Sequence, residues 1–292
     1  MNSVPYRFCD AVVGTLANVH HFSTGLELAN HSKFTTWKRV FHNHSSLQED
    51  CELSIGFDNG EWSYSMEGCN NDSQQLFAHY DFNHLKQVNR KYLRVDRVEF
   101  EYDRQDHPSN RQEIEEIIRY CVPFMNLAAL DLDNDSISNT DMAVFLGYFQ
   151  RASLQDIYDP IYSKHCEDFL LGHLRSGSLK KLRFFEEGWS DELKEEIQEY
   201  VLKQPFRDFC CGMMFEEDFF ERIFELSPVT ETAVTFCGNF SFVFGALKGF
   251  KTELITIFEE NLIVWKRKDG VHVKVWISQH NMYEIDLFTD VD

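Results

Sequence analysis

Apolar residues recur at one spacing between positions 95 and 211 of the chain. In five segments an apolar residue is followed by another three positions later, and in four of these by a third two positions further on. Apolar positions that alternate with polar ones are typical of a strand with one buried face. The segments are Val95-x-x-Val98-x-Phe100, Leu127-x-x-Leu130-x-Leu132, Leu154-x-x-Ile157, Leu179-x-x-Leu182-x-Phe184 and Phe206-x-x-Phe209-x-Cys211.

The stretches between these segments have the period of helices. Their apolar residues stand three and four positions apart, which places them on one stripe of a helix. Most intervals between the segments fall within the roughly 20–29 residues of a leucine-rich unit of one strand and one helix. Because such a unit buries its apolar face only against a neighbour, the pattern predicts an α/β fold, a leucine-rich-repeat-like solenoid. The predicted helices are Arg111 to Phe124, Thr140 to Phe149, Lys164 to Leu174 and Ser190 to Leu202.

The two ends of the chain have different patterns. Near the start, two alternating strands are joined by Asn59-Gly60, a pair that favours the tight turn of a β-hairpin. A short strand near Tyr80 and a helix through about Lys91 follow. We therefore expect a helical and hairpin cap at the N-terminus and a β cap at the C-terminus. The predicted strands are Cys51 to Phe57 and Glu61 to Met66, then Glu231 to Phe236, Glu253 to Phe258, Leu262 to Arg267 and Val271 to Ile277, with a helix or buried turn at Phe240 to Leu247.

Acidic residues outnumber basic ones. The chain has 48 Asp and Glu against 28 Lys and Arg, a formal net charge of −20. Since nucleic acids are bound by clustered cations, this balance argues against nucleic-acid binding and favours a basic partner. Alternatively, the charge only keeps a phenylalanine-rich chain in solution. One basic spot stands out, a predicted hairpin that either blocks unwanted strand pairing or binds an anion or a partner; it carries Lys266, Arg267, Lys268 and Lys274.

The cysteines and the apolar runs bear on the compartment. Eight cysteines are present without a C-x-x-C pair, and the first residues lack the basic start and apolar run of a secretory leader. The apolar runs are too short or too interrupted to cross a bilayer. We therefore expect a cytoplasmic protein, with the nucleus as the alternative, and no membrane partner.

The N-terminal residues resemble a known docking module. Val4-Pro5 opens an amphipathic stretch that includes Leu16, and Trp37 is followed by Lys38-Arg39. This arrangement resembles a divergent F-box, the helical module that docks on the Skp adaptor of cullin-type ubiquitin ligases. Together with the repeats it resembles the nematode group that carries an F-box-like module ahead of an FTH-type, leucine-rich-repeat-like region. The resemblance implies that Val4, Pro5, Leu16 and Trp37 bury apolar side chains against the adaptor; alternatively, this region only caps the first repeat.

These patterns divide the chain into four segments. They are an F-box-like helical segment at 1–45, a hairpin and connecting cap at 46–92, the repeats at 93–228 and a C-terminal β cap at 229–292.

The polar residues of the repeat strands form the predicted binding surface. In leucine-rich repeats, the residues between the apolar ones project from the exposed face of the sheet. A row of charged and polar side chains on a rigid sheet suits recognition of a protein segment. Alternatively, these side chains are merely solvated. The row consists of Arg97, Glu99, Asp131, Asp133, Asp156, Tyr158, Lys181, Arg183 and Asp208.

The common catalytic motifs are absent from the sequence. It has no glycine-rich phosphate loop, no G-x-S-x-G elbow and no H-E-x-x-H. The acids from Asp131 to Asp135 resemble the start of a calcium-binding loop, but Ser136 and Met142 stand where glycine and glutamate are needed. We therefore expect no metal, no cofactor and no enzymatic activity. The predicted function is protein interaction, as a substrate receptor or adaptor of a ubiquitin ligase. The alternatives are a receptor that has lost ligase docking and an enzyme with an active site built from loops.

Overall fold

The chain folds as two compact units, residues 1–154 and 155–292. The structure is a computed structural model, and it describes residues 6, 7, 9, 12, 35–70, 78–102, 105–158, 160–184, 188–203, 208–211, 219, 222, 236–238, 253–258, 262–266, 271–277 and 283–289. Both units combine helices with parallel and antiparallel strands, so the predicted α/β class is confirmed. The predicted division into four segments stays a prediction.

The first unit is a mixed sheet with helices. Its strand order is β6-β4-β1-β2-β3, and β5 also pairs with β2. Strands β1, β4 and β6 are parallel, while β2 runs antiparallel to β1. The elements are α1 (Thr35–Leu47), β1 (Glu49–Asp58), β2 (Glu61–Asn70), β3 (Ala78–His79), α2 (Phe82–Leu85), β4 (Leu93–Glu101), β5 (His107–Ser109), α3 (Arg111–Cys121), a 3-10 turn (Val122–Phe124), β6 (Met125–Asp131) and α4 (Asn139–Phe149).

The predicted hairpin is confirmed as β1 and β2. Asn59 and Gly60 connect the strands with φ angles of 50° and 86°, the positive values that a tight hairpin turn requires. The predicted helix through Lys91 is wrong, because α2 is a single turn. The Asn89 side chain accepts a hydrogen bond from the Lys91 backbone N–H at 3.1 Å, a local turn that competes with the helix.

A β-bulge explains the apolar spacing of β4. Val95, Val98 and Phe100 are all buried although the first two are three positions apart. The pairing of β4 with both neighbouring strands shifts register between Val95 and Arg97. The extra residue at this point returns Val98 to the same face as Val95.

Strand β6 differs from its predicted apolar pattern, in which Leu127, Leu130 and Leu132 are the buried positions. Leu127 has a positive φ of 55° and is only half-buried. Met125 and Ala128 point into the core instead, together with Leu130 and Leu132. The predicted inward position of Leu127 is therefore wrong, since the irregular start of β6 turns its backbone out of the strand conformation.

The core of the first unit lies between the sheet and helices α3 and α4. Phe145 of α4 contacts Trp62 and Phe100, with ring centroids 5.6 and 5.7 Å apart. Helix α3 buries Ile114 and Ile117 along one stripe. Full burial of a side chain of this size stabilises a fold by about 1.5–3 kcal/mol. Both helices cover one face of the sheet, which leaves the opposite face of β4 to its polar residues.

A buried amide joins the ends of three strands. Asn134 follows β6 and is fully buried. Its Nδ2 group donates to the carbonyl oxygen of Glu101 at the end of β4 and, at 3.4 Å, to that of Phe57 near the end of β1. Since unpaired buried carbonyls are costly, Asn134 fixes how these strand ends sit together.

The second unit contains parallel strands followed, along the strand order, by antiparallel ones. Its strand order is β7-β8-β9-β10-β14-β13-β12-β11. The pairings among β7, β8, β9 and β10 are parallel, and all the later ones are antiparallel. The elements are β7 (Ser153–Tyr158), α5 (Lys164–Ser176), β8 (Lys181–Phe184), α6 (Asp191–Lys203), β9 (Asp208–Cys211), β10 (Phe236–Gly238), β11 (Glu253–Phe258), β12 (Leu262–Lys266), β13 (Val271–Ile277) and β14 (Tyr283–Thr289).

Most predicted elements of this unit are present. Helices α5 and α6 and strand β11 agree with their predicted bounds within two residues, and β12 and β13 form the predicted hairpin. Strand β14 has no counterpart among the predicted strands. The predicted helix or turn at Phe240 to Leu247 lies outside the described residues, as do the side chains of the basic hairpin.

Candidate protein-interaction surface

Four predicted site residues meet in the first unit, at the carboxyl ends of β4 and β6. Arg97 and Glu99 project from β4 on the face away from the helices, Asp131 ends β6, and Asp133 follows it. They line a depression of about 360 Å³, which we call the acidic depression. Its full lining is Arg97, Glu99, Phe100, Glu101, Tyr102, Asp131 and Asp133.

Arg97 lies at the centre of the charges in the acidic depression. Its guanidinium contacts the carboxylate of Glu99, and its Nη2 atom donates to Oδ2 of Asp131 at 3.0 Å. Ser54 of β1 donates to Glu99 at 3.4 Å. The lining contains four carboxylates and one guanidinium, so it keeps an excess of negative charge.

The carboxylates in and beside the depression repel one another. Burial, and then the neighbouring carboxyl of Glu101, raises the pKa of Glu99. Burial, and then the charge of Glu99, raises the pKa of Glu52 on the adjacent strand. In the sheet, Glu52 also stands directly opposite Glu67. Like charges that face each other destabilise a sheet, and a bound cation would relieve this repulsion.

One rim of the acidic depression is aromatic. Tyr102 is 44% exposed, and its hydroxyl accepts a hydrogen bond from the Asp135 backbone N–H at 3.1 Å. Beside it, Gln105 donates to the Glu101 carboxylate at 2.7 Å and accepts from Ser65 of β2 at 3.1 Å. These bonds hold Tyr102 against the turn after β6 and Gln105 against the sheet. An exposed ring next to carboxylates can contact the stem of a lysine or arginine.

Sequence reasoning missed Glu52, Glu101 and Tyr102 as members of this surface. Glu101 continues the alternation of Arg97 and Glu99, so the same period identifies it. The position of Glu52 depends on the parallel pairing of β1 with β4, which opposes Glu52 to Arg97. No local pattern in the sequence signals that pairing.

Three further predicted residues lie in the second unit. Tyr158 of β7 stands opposite Arg183 of β8, and the Arg183 guanidinium carbon is 5.8 Å from the centre of the Tyr158 ring. Lys181 is half-buried. The prediction that Asp156 is exposed is wrong, because its side chain is only 9% exposed and the next residue, Ile157, is buried as well. Both faces of β7 are therefore covered at this point. The side chain of Asp208 lies outside the described residues.

Of the residues predicted to dock on the adaptor, the structure describes Trp37. It lies on α1, half-buried, and packs against a small core formed by Cys9, Val40 and Phe41. The Trp37 and Phe41 rings are 6.4 Å apart. The other predicted docking residues, Val4, Pro5 and Leu16, lie outside the described residues.

The described cysteines bear on nucleophilic chemistry. Cys9, Cys51, Cys121 and Cys166 are buried free thiols. Burial, and then nearby carboxylates, raises the pKa of Cys51 to about 12, which keeps it protonated at neutral pH. A protonated, buried thiol is a poor nucleophile.

A second depression, of about 370 Å³, is polar and contains two imidazoles. It is lined by Asp81, Asn83, His84, Gln87 and His107. The Asp81 carboxylate accepts a hydrogen bond from the His84 backbone N–H at 2.6 Å, so it caps α2. Within the described part of the chain, no group of three or more His, Cys, Asp or Glu side chains is placed to hold a metal ion.

No helix among the described residues has the length and apolar character needed to cross a lipid bilayer. Comparisons with protein-family models, with curated proteins and with solved structures find no match to the chain.

Proposed function

We propose that the chain is a protein-interaction protein, a substrate receptor or adaptor whose exposed sheet face binds a basic segment of a protein partner. The observation that carries this proposal is the acidic depression. There, four carboxylates share the lining with Arg97, which pairs with two of them, on the face of the sheet away from the helices. A basic side chain that enters the depression would gain ion pairs with Asp133 and Glu101 and would reduce the repulsion around Glu99.

The charge of the whole chain favours the same kind of partner. At −20, the chain attracts a basic segment over a longer distance than any single contact does. Such attraction speeds association and selects against acidic partners at this surface. The exposed ring of Tyr102 supplies apolar area beside the charges.

We also propose that the strands and helices within each unit stack as leucine-rich-repeat-like tiers. Support comes from ion pairs between consecutive helices. Arg111 of α3 contacts Asp141 of α4, and Arg175 of α5 pairs with Glu192 and Glu196 of α6, both at 3.0 Å. Each arginine thus connects one helix to the next helix along the chain, as expected of tiers that shield one another.

The ligase part of the proposal depends on the F-box-like segment. Helix α1 presents Trp37 on a small apolar core, which gives a docking helix a fixed support. In this proposal the chain works in the cytoplasm or nucleus, where the Skp adaptor is available.

Size-exclusion chromatography of the full chain mixed with the adaptor at micromolar concentration tests the ligase docking. We expect a complex that Trp37→Ala weakens and that Leu47→Ala, at an exposed apolar residue of the same helix, does not. If no complex forms, ligase docking is ruled out, and the proposal that the exposed sheet face binds a partner is unaffected.

Binding of a fluorescent lysine-rich peptide tests the sheet-face part. We expect anisotropy to show binding that Asp133→Asn weakens several-fold, because this variant removes a carboxylate from the depression. Glu195→Gln, at an exposed acid of the second unit, removes the same charge and is the matched control. If both variants bind the peptide with equal affinity, the attraction depends only on the net charge of the chain, and the proposal is contradicted. Lys181 and Arg183 are also predicted to contact the partner. Charge reversal at these two residues tests in the same assay whether they contribute to the affinity for the peptide.

A further inference from the structure

A basic and aromatic surface lies at the other end of the same strands. The segment 86–92 leads into β4, and Val122–Phe124 leads into β6, so both lie at the amino ends of these parallel strands. Three rings follow one another there. Phe82 and Tyr120 have centroids 5.6 Å apart, as do Tyr120 and Phe124. With Lys86 and Arg90 these rings form what we call the basic-aromatic patch.

Two cations of the patch lie over its rings. The Lys86 Nζ atom is 3.7 Å from the centre of the Phe82 ring and pairs with Glu116 at 2.9 Å. The Arg90 guanidinium carbon lies 5.3 Å from the centre of Tyr120 and 5.2 Å from that of Phe124. Lys86 is thus neutralised by a carboxylate, whereas Arg90 forms no ion pair with another residue that the structure describes. Arg90 is exposed on an otherwise acidic chain.

The placement of Arg90 favours a carboxylate ligand. A guanidinium held against aromatic rings by cation–π attraction keeps its N–H donors directed outward in a fixed plane. That plane matches the two oxygens of a carboxylate, which can accept a bidentate pair of hydrogen bonds. Because the rings restrict the arginine before binding, less conformational entropy is lost when the ligand arrives.

We propose that the basic-aromatic patch binds an acidic segment of a protein partner, with Arg90 donating to an aspartate or glutamate carboxylate. Charge complementarity identifies this occupant, since the patch provides a local cation and the half-exposed rings of Tyr120 and Phe124 for an apolar neighbour of that acid. A polyphosphate such as nucleic acid is disfavoured because it carries a long run of charge that the remaining acidic surface repels. The patch and the acidic depression contact different strand ends, so the two surfaces bind ligands of opposite charge independently.

Fluorescence anisotropy with a labelled peptide that contains one glutamate beside one phenylalanine, among otherwise uncharged residues, tests this inference on the full chain. We expect binding at low salt that Arg90→Gln weakens by about tenfold, the size of one lost charge-assisted hydrogen bond. Arg151→Gln removes the same charge at another exposed arginine of the unit and should leave affinity unchanged. Arg90→Lys keeps the charge but loses the planar pair of donors, so we expect an intermediate affinity.

Three outcomes would overturn the inference. They are no binding by the wild-type chain, equal loss in the Arg90 and Arg151 variants, and preference for a single-stranded oligonucleotide over the peptide. Circular dichroism and the unfolding midpoint of each variant establish that it is folded, which we expect because Arg90 is exposed. The lysine-rich peptide serves as the second probe. Its binding should not change in Arg90→Gln, so failure at one surface is distinguished from failure at the other.

Discussion

At the residue scale, two buried polar side chains form hydrogen bonds between segments that are distant along the sequence. Asn134 connects the ends of β1 and β4 to the turn after β6. Glu167 of α5 is only 2% exposed and accepts hydrogen bonds from Lys164 at 2.8 Å and from the Ser190 backbone N–H at 2.9 Å. Ser190 precedes α6, so the Glu167 carboxylate lies where the positive end of the helix dipole stabilises it.

Replacement of Asn134 should destabilise the fold. We expect Asn134→Ala to lower the free energy of unfolding by about 1–3 kcal/mol, because it leaves two part-buried strand-end carbonyls without this donor. Urea denaturation measures the change. Asn139→Ala, at an exposed residue of α4, is the matched control and should change stability far less. Equal effects would show that Asn134 does not hold the strand ends.

The Glu167 carboxyl should make stability depend on pH. Burial alone would raise its pKa, but the bonds from Lys164 and Ser190 outweigh burial and lower it. A group with a lowered pKa in the folded state stabilises the protein above its unfolded pKa and ceases to do so as pH falls through the folded value.

We therefore expect wild type to be more stable than Glu167→Gln at neutral pH. The difference in unfolding free energy between wild type and variant should shrink as pH drops below the ordinary glutamate range. Glu167 then becomes protonated in the folded state as well as in the unfolded state. Urea titrations across acidic pH measure this. Glu195→Gln, at an exposed glutamate of α6, should show no such convergence. A constant difference at all pH values would contradict the role of the charge.

At the element scale, local patterns determine helices and turns, while strand details depend on pairing. The helices α3 to α6 follow from apolar stripes that each segment carries by itself. The inward residues of β6 were mispredicted at Leu127, because its positive φ arises where β6 joins its neighbour irregularly. Propensity and periodicity do not contain that information.

Two glycine substitutions in different elements should act in opposite directions. Gly60→Ala places a side chain at a φ of 86°, which L residues rarely adopt, and we expect a loss of about 1 kcal/mol or more. Gly147 lies in α4, exposed, with no atom within 4 Å of an added Cβ, so Gly147→Ala should gain about 0.5–1 kcal/mol. Urea denaturation of both variants measures the pair. A gain for Gly60→Ala would contradict the turn geometry.

At the scale of the whole molecule, the net charge of −20 opposes the folded state through self-repulsion. Salt should reduce that repulsion, since the Debye length falls from ~30 Å at 0.01 M to ~8 Å at 0.15 M. We expect the unfolding temperature to rise by a few degrees over this range. Calorimetry measures it. A fall with salt would show that ion pairs such as Arg175 with Glu192 outweigh the repulsion.

The sequence by itself determined the α/β class, the long helices, the hairpin at Asn59-Gly60 and the acidic character of the chain, because these depend on nearby residues or on composition. The tertiary structure decided which surfaces those elements create. Glu99 receives a hydrogen bond from Ser54, 45 residues away, and Arg90 lies on rings that belong to a later helix and turn. Such neighbours are set by parallel strand pairing and by helix packing, which depend on long-range contacts that no local period encodes.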